Sequence, residues 1–132
     1  MTRTRKSART AGTRFETLVA TYLAETLDDD RIERRSRNGV KDRGDITGVR
    51  HMGGRVVIEC KNTTALDLSG WARQADIERG NDDAVVGVIC HKRHGNALPE
   101  NQWVTMTLAE FVALMTGNRD HTTNQPERNN RL

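Results

Sequence analysis

Apolar residues first recur at helical spacing at Phe15, Leu18, Val19, Tyr22, Leu23 and Leu27. This predicts an amphipathic helix over about 13–27 that stops at the acidic run Asp28-Asp29-Asp30. At 100° per residue Glu16 falls inside the apolar arc of that helix, where an ionised carboxylate needs a partner. A short strand is expected over 31–37, followed by the turn Asn38-Gly39 and a polar loop to Gly44. Residues 45–50 read as a second strand and His51-Met52-Gly53-Gly54 as a hairpin turn. The segment 55–61, rich in β-branched residues, is the clearest strand of the chain.

A second helix is expected over about 68–80, N-capped by Asp67 or Ser69 and stopped by Gly80. The wholly apolar run 84–90 reads as a strand buried on both faces, leaving through the basic loop His91-Lys92-Arg93-His94-Gly95. Residues 102–106 supply another strand. Thr107 with Glu110 forms a capping box that opens a helix to Thr116.

The order helix, three strands, helix, two strands, helix predicts an α/β fold with a central mixed sheet flanked by helices. One domain over 13–116 accounts for the patterned region. Residues 1–12 lack periodicity and read as a flexible basic arm, and 117–132 read as a disordered tail. No G-x-G-x-x-G, Walker A sequence or internal repeat occurs. No apolar stretch approaches the ~20 residues of a membrane span and the basic start lacks a signal-peptide core, so a cytoplasmic protein without a membrane partner is expected.

Composition suits a single small core: 132 residues, 35% hydrophobic and 30% charged. The net charge of +3 conceals a segregated pattern. Residues 1–14 carry five basic groups and no acid, 15–30 carry five acids and no base, and 31–55 hold eight basic groups against three acids. Two basic blocks flanking an acidic one favour a polyanionic partner, because each neutralised phosphate releases condensed counterions. Cys60 and Cys90 lie in strand-like apolar surroundings and read as buried thiols. The four histidines lack paired ligand spacing, which argues against a zinc site. Trp71 and Trp103 read as packing aromatics.

Chemistry concentrates at the end of the strand 55–61. Side chains alternate across a strand, so Glu59 and Lys61 share a face while Cys60 points away. A lone Glu-x-Lys is ordinarily an ion pair on a sheet rim. Asp45 changes that, because in a hairpin turning at 51–54 it pairs approximately with Glu59, near enough for both carboxylates to chelate one ion. Two such carboxylates repel, a divalent cation removes the repulsion, and an all-oxygen site suits Mg²⁺ or Mn²⁺. Lys61 is then placed to orient an attacking water and to offset charge growing in the transition state. Glu16 is the third acid, able to reach the same rim and hold a metal-bound water or a second ion.

Glu16, Gly44-Asp45 and Glu59-Cys60-Lys61, in this order and on these elements, resemble the active-site signature of the PD-(D/E)xK nuclease superfamily. Within it, the chain is similar to the Holliday junction resolvases of archaeal and phage type. The resemblance spans about 11–107, with Gly12-Thr13-Arg14-Phe15-Glu16 similar to the opening segment of such resolvases and Arg35-Ser36-Arg37-Asn38-Gly39 similar to their basic loop. Gly44 stands where the superfamily has proline, a position at which the family is tolerant. Asp42 competes with Asp45 as the metal ligand, with Asp45 favoured because it opens the apolar strand and keeps register with Glu59.

The resemblance implies a restriction-endonuclease-like fold and a homodimer that resolves four-way DNA junctions by paired nicks, leaving 5′-phosphate and 3′-hydroxyl ends. Its place would be the host cytoplasm if the gene is carried by a phage. It implies Mg²⁺, replaceable by Mn²⁺, on Asp45, Glu59 and the Cys60 carbonyl, with Glu16 completing the site and no small-molecule cofactor. Gln74 is similar to a glutamine that some members place after the E-x-K strand. Arg35 and Ser36 are expected at the scissile phosphate, and Lys92, Arg93 and His94 on a second arm. Arg3, Arg5, Lys6, Arg9, Arg14, Arg34, Arg37, Lys41 and Arg43 would supply sequence-independent backbone grip.

Overall fold

The computed structural model of the protein describes residues 4–36 and 41–122. The expected turn Asn38-Gly39, the basic residues Arg3 and Arg37, and the tail 123–132 lie outside the described residues.

The first helix, α1 (Arg5–Thr26), begins well before position 13. Thr4 caps it by accepting a hydrogen bond from the Ser7 N–H at 3.0 Å. Residues 5–12, expected as a flexible arm, are therefore helical. Their alanine and long basic side chains favour helix without an apolar stripe, so propensity forms the helix where periodicity gives no signal. The stripe becomes useful only from Phe15 onward, where Phe15, Val19 and Ala20 are buried.

Six strands follow or alternate with the remaining helices: β1 (Glu33–Arg34), β2 (Ile46–Thr47), β3 (Arg50–His51), β4 (Gly54–Lys61), β5 (Val86–His91) and β6 (Trp103–Thr105). The other helices are α2 (Leu68–Asn81) and α3 (Leu108–Thr116). The sheet runs β1-β2-β4-β5-β6 with β3 also paired to β4, and it is mixed: β4 and β5 are parallel while the other pairs are antiparallel. The expected α/β class and mixed sheet are present. Among the described residues no helix is long and apolar enough to cross a membrane.

Alternation along the two central strands sorts the layers. Ile58, Cys60, Val86, Val88 and Cys90 pack with Phe15, Val19 and Ala20 of α1 and Ala113 of α3, whereas Ile89 packs with Trp71 and Ala75 of α2. Helices thus cover both faces, α1 and α3 on one and α2 on the other. Cys60 and Cys90 are register partners, buried and free, as expected of structural thiols. Burial raises the Cys90 thiol to about 11 and also pushes Cys60 up.

The second strand departs from its expected unbroken form. Its start pairs Ile46 with Ile58, while its end pairs Arg50 with Arg55 and His51 with Gly54. Four residue steps on one strand therefore face three on the other. The extra residue is accommodated around Gly48, whose φ is +93°. A Cβ there would run into the Arg31 carbonyl. Asp67 is the helix cap of α2, accepting from Gly70 N–H at 3.1 Å. Strand β5 extends to His91, which is buried instead of opening the following loop.

At α3 only half of the expected capping box forms. Thr107 caps Glu110 N–H at 3.4 Å, but the Glu110 carboxylate accepts from Gly87 N–H at 2.9 Å and from Arg119 at 3.0 Å. Arg119 also donates to the Val85 carbonyl at 2.6 Å, so residues 117–122, expected as part of a disordered tail, include a segment docked on β5 and ending in a short 3₁₀ turn.

Gly48→Ala is expected to destabilise the fold by about 2 kcal/mol or more, because the strained φ and the Arg31 carbonyl both oppose a Cβ. Gly80→Ala, inside α2 with nothing near its Cβ position, is expected to stabilise by roughly 0.5–1 kcal/mol. Urea unfolding of both variants beside the parent checks the pair.

Candidate functional site

Glu59 and Lys61 emerge on the α2 face of β4, as alternation requires. Glu59 is 1% exposed. The β2–β4 ladder begins at Ile46–Ile58, and Asp45, just before it, donates its N–H to the Ile58 carbonyl at 2.9 Å, so the expected residue-for-residue opposition of Asp45 and Glu59 is not the pairing formed. The bulge at Gly48 sets the Ile46–Ile58 pairing, since the turn alone would place Ile46 opposite Glu59. Asp45 then uses its own carboxylate as a ladder partner, accepting from Cys60 N–H at 2.8 Å.

That bond holds Asp45 near the plane of the sheet, between the two helix-bearing faces. On one side it lies against Glu16 of α1, whose other neighbour is Arg34 at 3.6 Å. Glu16 thus finds the partners that its place on the apolar arc demands. Gly44, in front of Asp45, has φ +94°, which a proline ring cannot adopt. The residue that departs from the superfamily name is therefore required by the backbone here.

On the other side lies α2. Gln74 donates through Nε2 to Glu59 at 3.3 Å and to Glu78 at 3.2 Å, and its Oε1 accepts from Lys61 Nζ at 2.7 Å. Lys61 Nζ is also 3.7 Å from Glu59. One amide thereby fixes the acid and the base of the Glu-x-Lys pair. The expected grouping of Gln74 with Glu59 and Lys61 is present in the geometry.

Glu78 was not among the expected site residues. It is 1% exposed and lies one turn beyond Gln74, on the helix face that also buries Trp71 and Ala75. The spacing 71, 74, 75 and 78 carries this signal, and a glutamate at a buried helix position needs an explanation. Asp42, Glu59 and Glu78 each offer one oxygen within 4.8 Å of the others, a group that could hold a metal ion. Asp42, the alternative to Asp45, therefore joins Glu59 in the three-carboxylate group, while Asp45 joins Glu16 and the Cys60 N–H.

Burial and mutual repulsion raise these acids. Desolvation, then contact with Asp45, lifts Glu16 to about 7. Desolvation, then Glu78 and Asp45, holds Glu59 far above the usual carboxylate range. Desolvation is also the largest cause at Glu78, which is raised to about 7. Glu59 and Glu78 each keep a buried oxygen with no donor, so the chain's own groups do not satisfy the cluster. A hard divalent cation fits that donor set.

The expected DNA-contacting residues divide into two sets. Arg5, Lys6, Arg9, Arg14, Ser36, Lys41 and Arg43 are exposed. The basic half of α1 passes the end of β4, where Asn62 donates to the Ala11 carbonyl at 3.4 Å. The others are committed within the fold. Arg34 pairs with Glu16 and Arg35 with Asp82 at 3.5 Å. Lys92 donates to the carbonyls of Arg93 and Asn96, so its charge is turned into its own loop. Arg93 lies over the Trp103 ring at 4.9 Å, and His94 contacts the Thr63 carbonyl at 2.8 Å. Trp71 packs as expected, but Trp103 is half exposed beneath Arg93.

The chain matches no family model, no curated protein and no solved structure.

The raised carboxyls set a pH dependence. Glu16 and Glu78 stay protonated in the folded chain up to about 7 but ionise near 4.5 when unfolded, so folding takes up protons between these values. The stability they contribute is complete below the unfolded value and is lost as pH rises through 7. Thermal unfolding in a chelator should therefore give a melting temperature that falls from about pH 5 to about pH 8, each group contributing up to roughly 1.4 kcal/mol per pH unit. Glu78→Gln should flatten the slope; a slope of the same size in that variant would contradict the assignment.

Proposed function

We propose that this chain is a divalent-cation-dependent endonuclease of the PD-(D/E)xK type that acts as a homodimer on four-way DNA junctions. The observation that carries the reading is the meeting of Glu16, Asp45, Glu59 and Lys61, drawn from a helix, a strand entry and a strand end, at one rim of a mixed sheet. Asp45 and Glu59, with the Cys60 carbonyl, would hold Mg²⁺ or Mn²⁺, and Glu16 would complete the site. The ion, when bound, would lower the pKa of a water and neutralise charge on the phosphate.

The chain's own residues account for the remaining steps. Lys61 is held by Gln74 and lies close to Glu59, so its ammonium is oriented before substrate arrives. It would align the attacking water and offset charge that grows on the phosphate oxygens. In-line attack would break the bond to the 3′ oxygen and leave a 5′-phosphate. Arg5, Lys6, Arg9 and Arg14, with Ser36, Lys41 and Arg43, would grip the phosphate backbone without reading bases. One small domain supplies one such centre, and two symmetric nicks with matching polarity call for a twofold pair.

The purified chain should nick a mobile four-way junction in the presence of Mg²⁺ and cut a flap or linear duplex far less. Glu59→Ala and Lys61→Ala should each lower the nicking rate by about 10²–10⁴-fold while a gel-shift assay finds junction binding retained. Equal cutting of junction, flap and duplex would reduce the reading to a nuclease of the same fold without junction selectivity. Binding with no nicking by the parent would leave a DNA-binding module.

A further inference from the structure

We propose that Asp42, Glu59 and Glu78 form a second divalent-cation site on the α2 side of the centre, with Glu59 shared between it and the Asp45 side. This goes beyond the nuclease reading but rests on it for the role of Glu59 as a cation ligand.

Three observations carry it. The three ligand oxygens lie within 4.8 Å of one another, where three donors on one octahedral ion with bonds of about 2.1 Å would stand roughly 3–4 Å apart. Glu59 and Glu78, both 1% exposed, each keep an oxygen that no donor reaches. Such a pair needs a cation or a proton.

The other oxygens of the two glutamates are already fixed. Gln74 Nε2 donates to both, at 3.3 and 3.2 Å, which leaves their free oxygens available to a ligand. Asp42 is held as well: its main-chain carbonyl accepts from Asn81 Nδ2 at 2.8 Å and its carboxylate from Gly44 N–H at 3.0 Å. The loop bearing Asp42 is therefore tied to the end of the helix bearing Glu78. Asp42 is exposed, which gives an ion access from solvent.

Asp45 is not one of the three, and its carboxylate accepts from Cys60 N–H on the other side of the centre. The donor set is all oxygen, which selects Mg²⁺, Mn²⁺ or Ca²⁺ over Zn²⁺. With both sites filled, Glu59 would be a ligand to each ion.

The test counts ions without DNA. The full-length chain is stripped with a chelator and titrated with Mn²⁺, and free Mn²⁺ is read by electron paramagnetic resonance. The parent should bind two ions per chain and Glu78→Gln one. Asp42→Asn, at an exposed position that tolerates the change, should weaken one ion by at least about tenfold. Asp45→Asn should remove the other ion. Two ions with unchanged affinities in both Glu78→Gln and Asp42→Asn would overturn the proposal, as would a parent that binds no ion. A single ion lost in Glu78→Gln and kept in Asp45→Asn would support the site while removing the Asp45-side ion. Two ions bound by a chain that cuts no DNA would sink the nuclease reading and leave this site standing.

Discussion

Carboxylates withdrawn from water repel one another, and one rim of this sheet buries three of them, Asp45, Glu59 and Glu78, beside the half-buried Glu16 and the exposed Asp42. Lys61 and Arg34 are the cations in contact with the group. The arrangement is tolerable only if protons or bound cations occupy the space between the oxygens. A chain of this size would gain stability by replacing such residues with apolar ones. Such a cluster is suited to chemistry that needs concentrated negative charge.

The rest of the fold can be read as the support for that charge. Strand β4 delivers Glu59 and Lys61 to one face, the Cys60 N–H holds the Asp45 carboxylate at the end of that strand, and α1 and α2 close in from opposite sides with Glu16 and Glu78. Gln74 joins the two halves of the Glu-x-Lys pair to Glu78 through one amide. The loop before Asp45 is tied back to the C-terminal end of α2 twice, by Asn81 to Asp42 and by Arg35 to Asp82. These ties make the site a property of packed elements and not of a free loop.

Much of this was legible in the chain. The β-branched run before Glu59 fixed the strand, and alternation fixed which neighbours share its face. The nearness of Asp45 to the end of β4 was also readable, but not its pairing, because the count across the hairpin omitted the bulge. A bulge depends on how close the Arg31 carbonyl comes to Gly48, a contact between segments that no local pattern encodes. Helix α1 was cut short because periodicity reports packing, and its first two turns pack on little. Glu78 was missed for the opposite reason: its spacing with Trp71, Gln74 and Ala75 was visible, but the eye treats a glutamate on a helix as solvent-facing. Lys92 and Arg93 read as substrate contacts because charge in a loop looks free until the carbonyls and the ring beneath it are known.

The central claim is that this rim is a cation centre, and the most direct measurement is paramagnetic relaxation in the amide spectrum of the isotope-labelled chain. Substoichiometric Mn²⁺ should broaden the amides of Asp42, Asp45, Glu59, Cys60, Lys61 and Glu78 first, while those of the Met52–Gly53 turn and of Gly117 beside it, at the opposite end of β4, stay sharp at the same addition. Broadening centred on that turn, or spread evenly over the acidic surface, would contradict it.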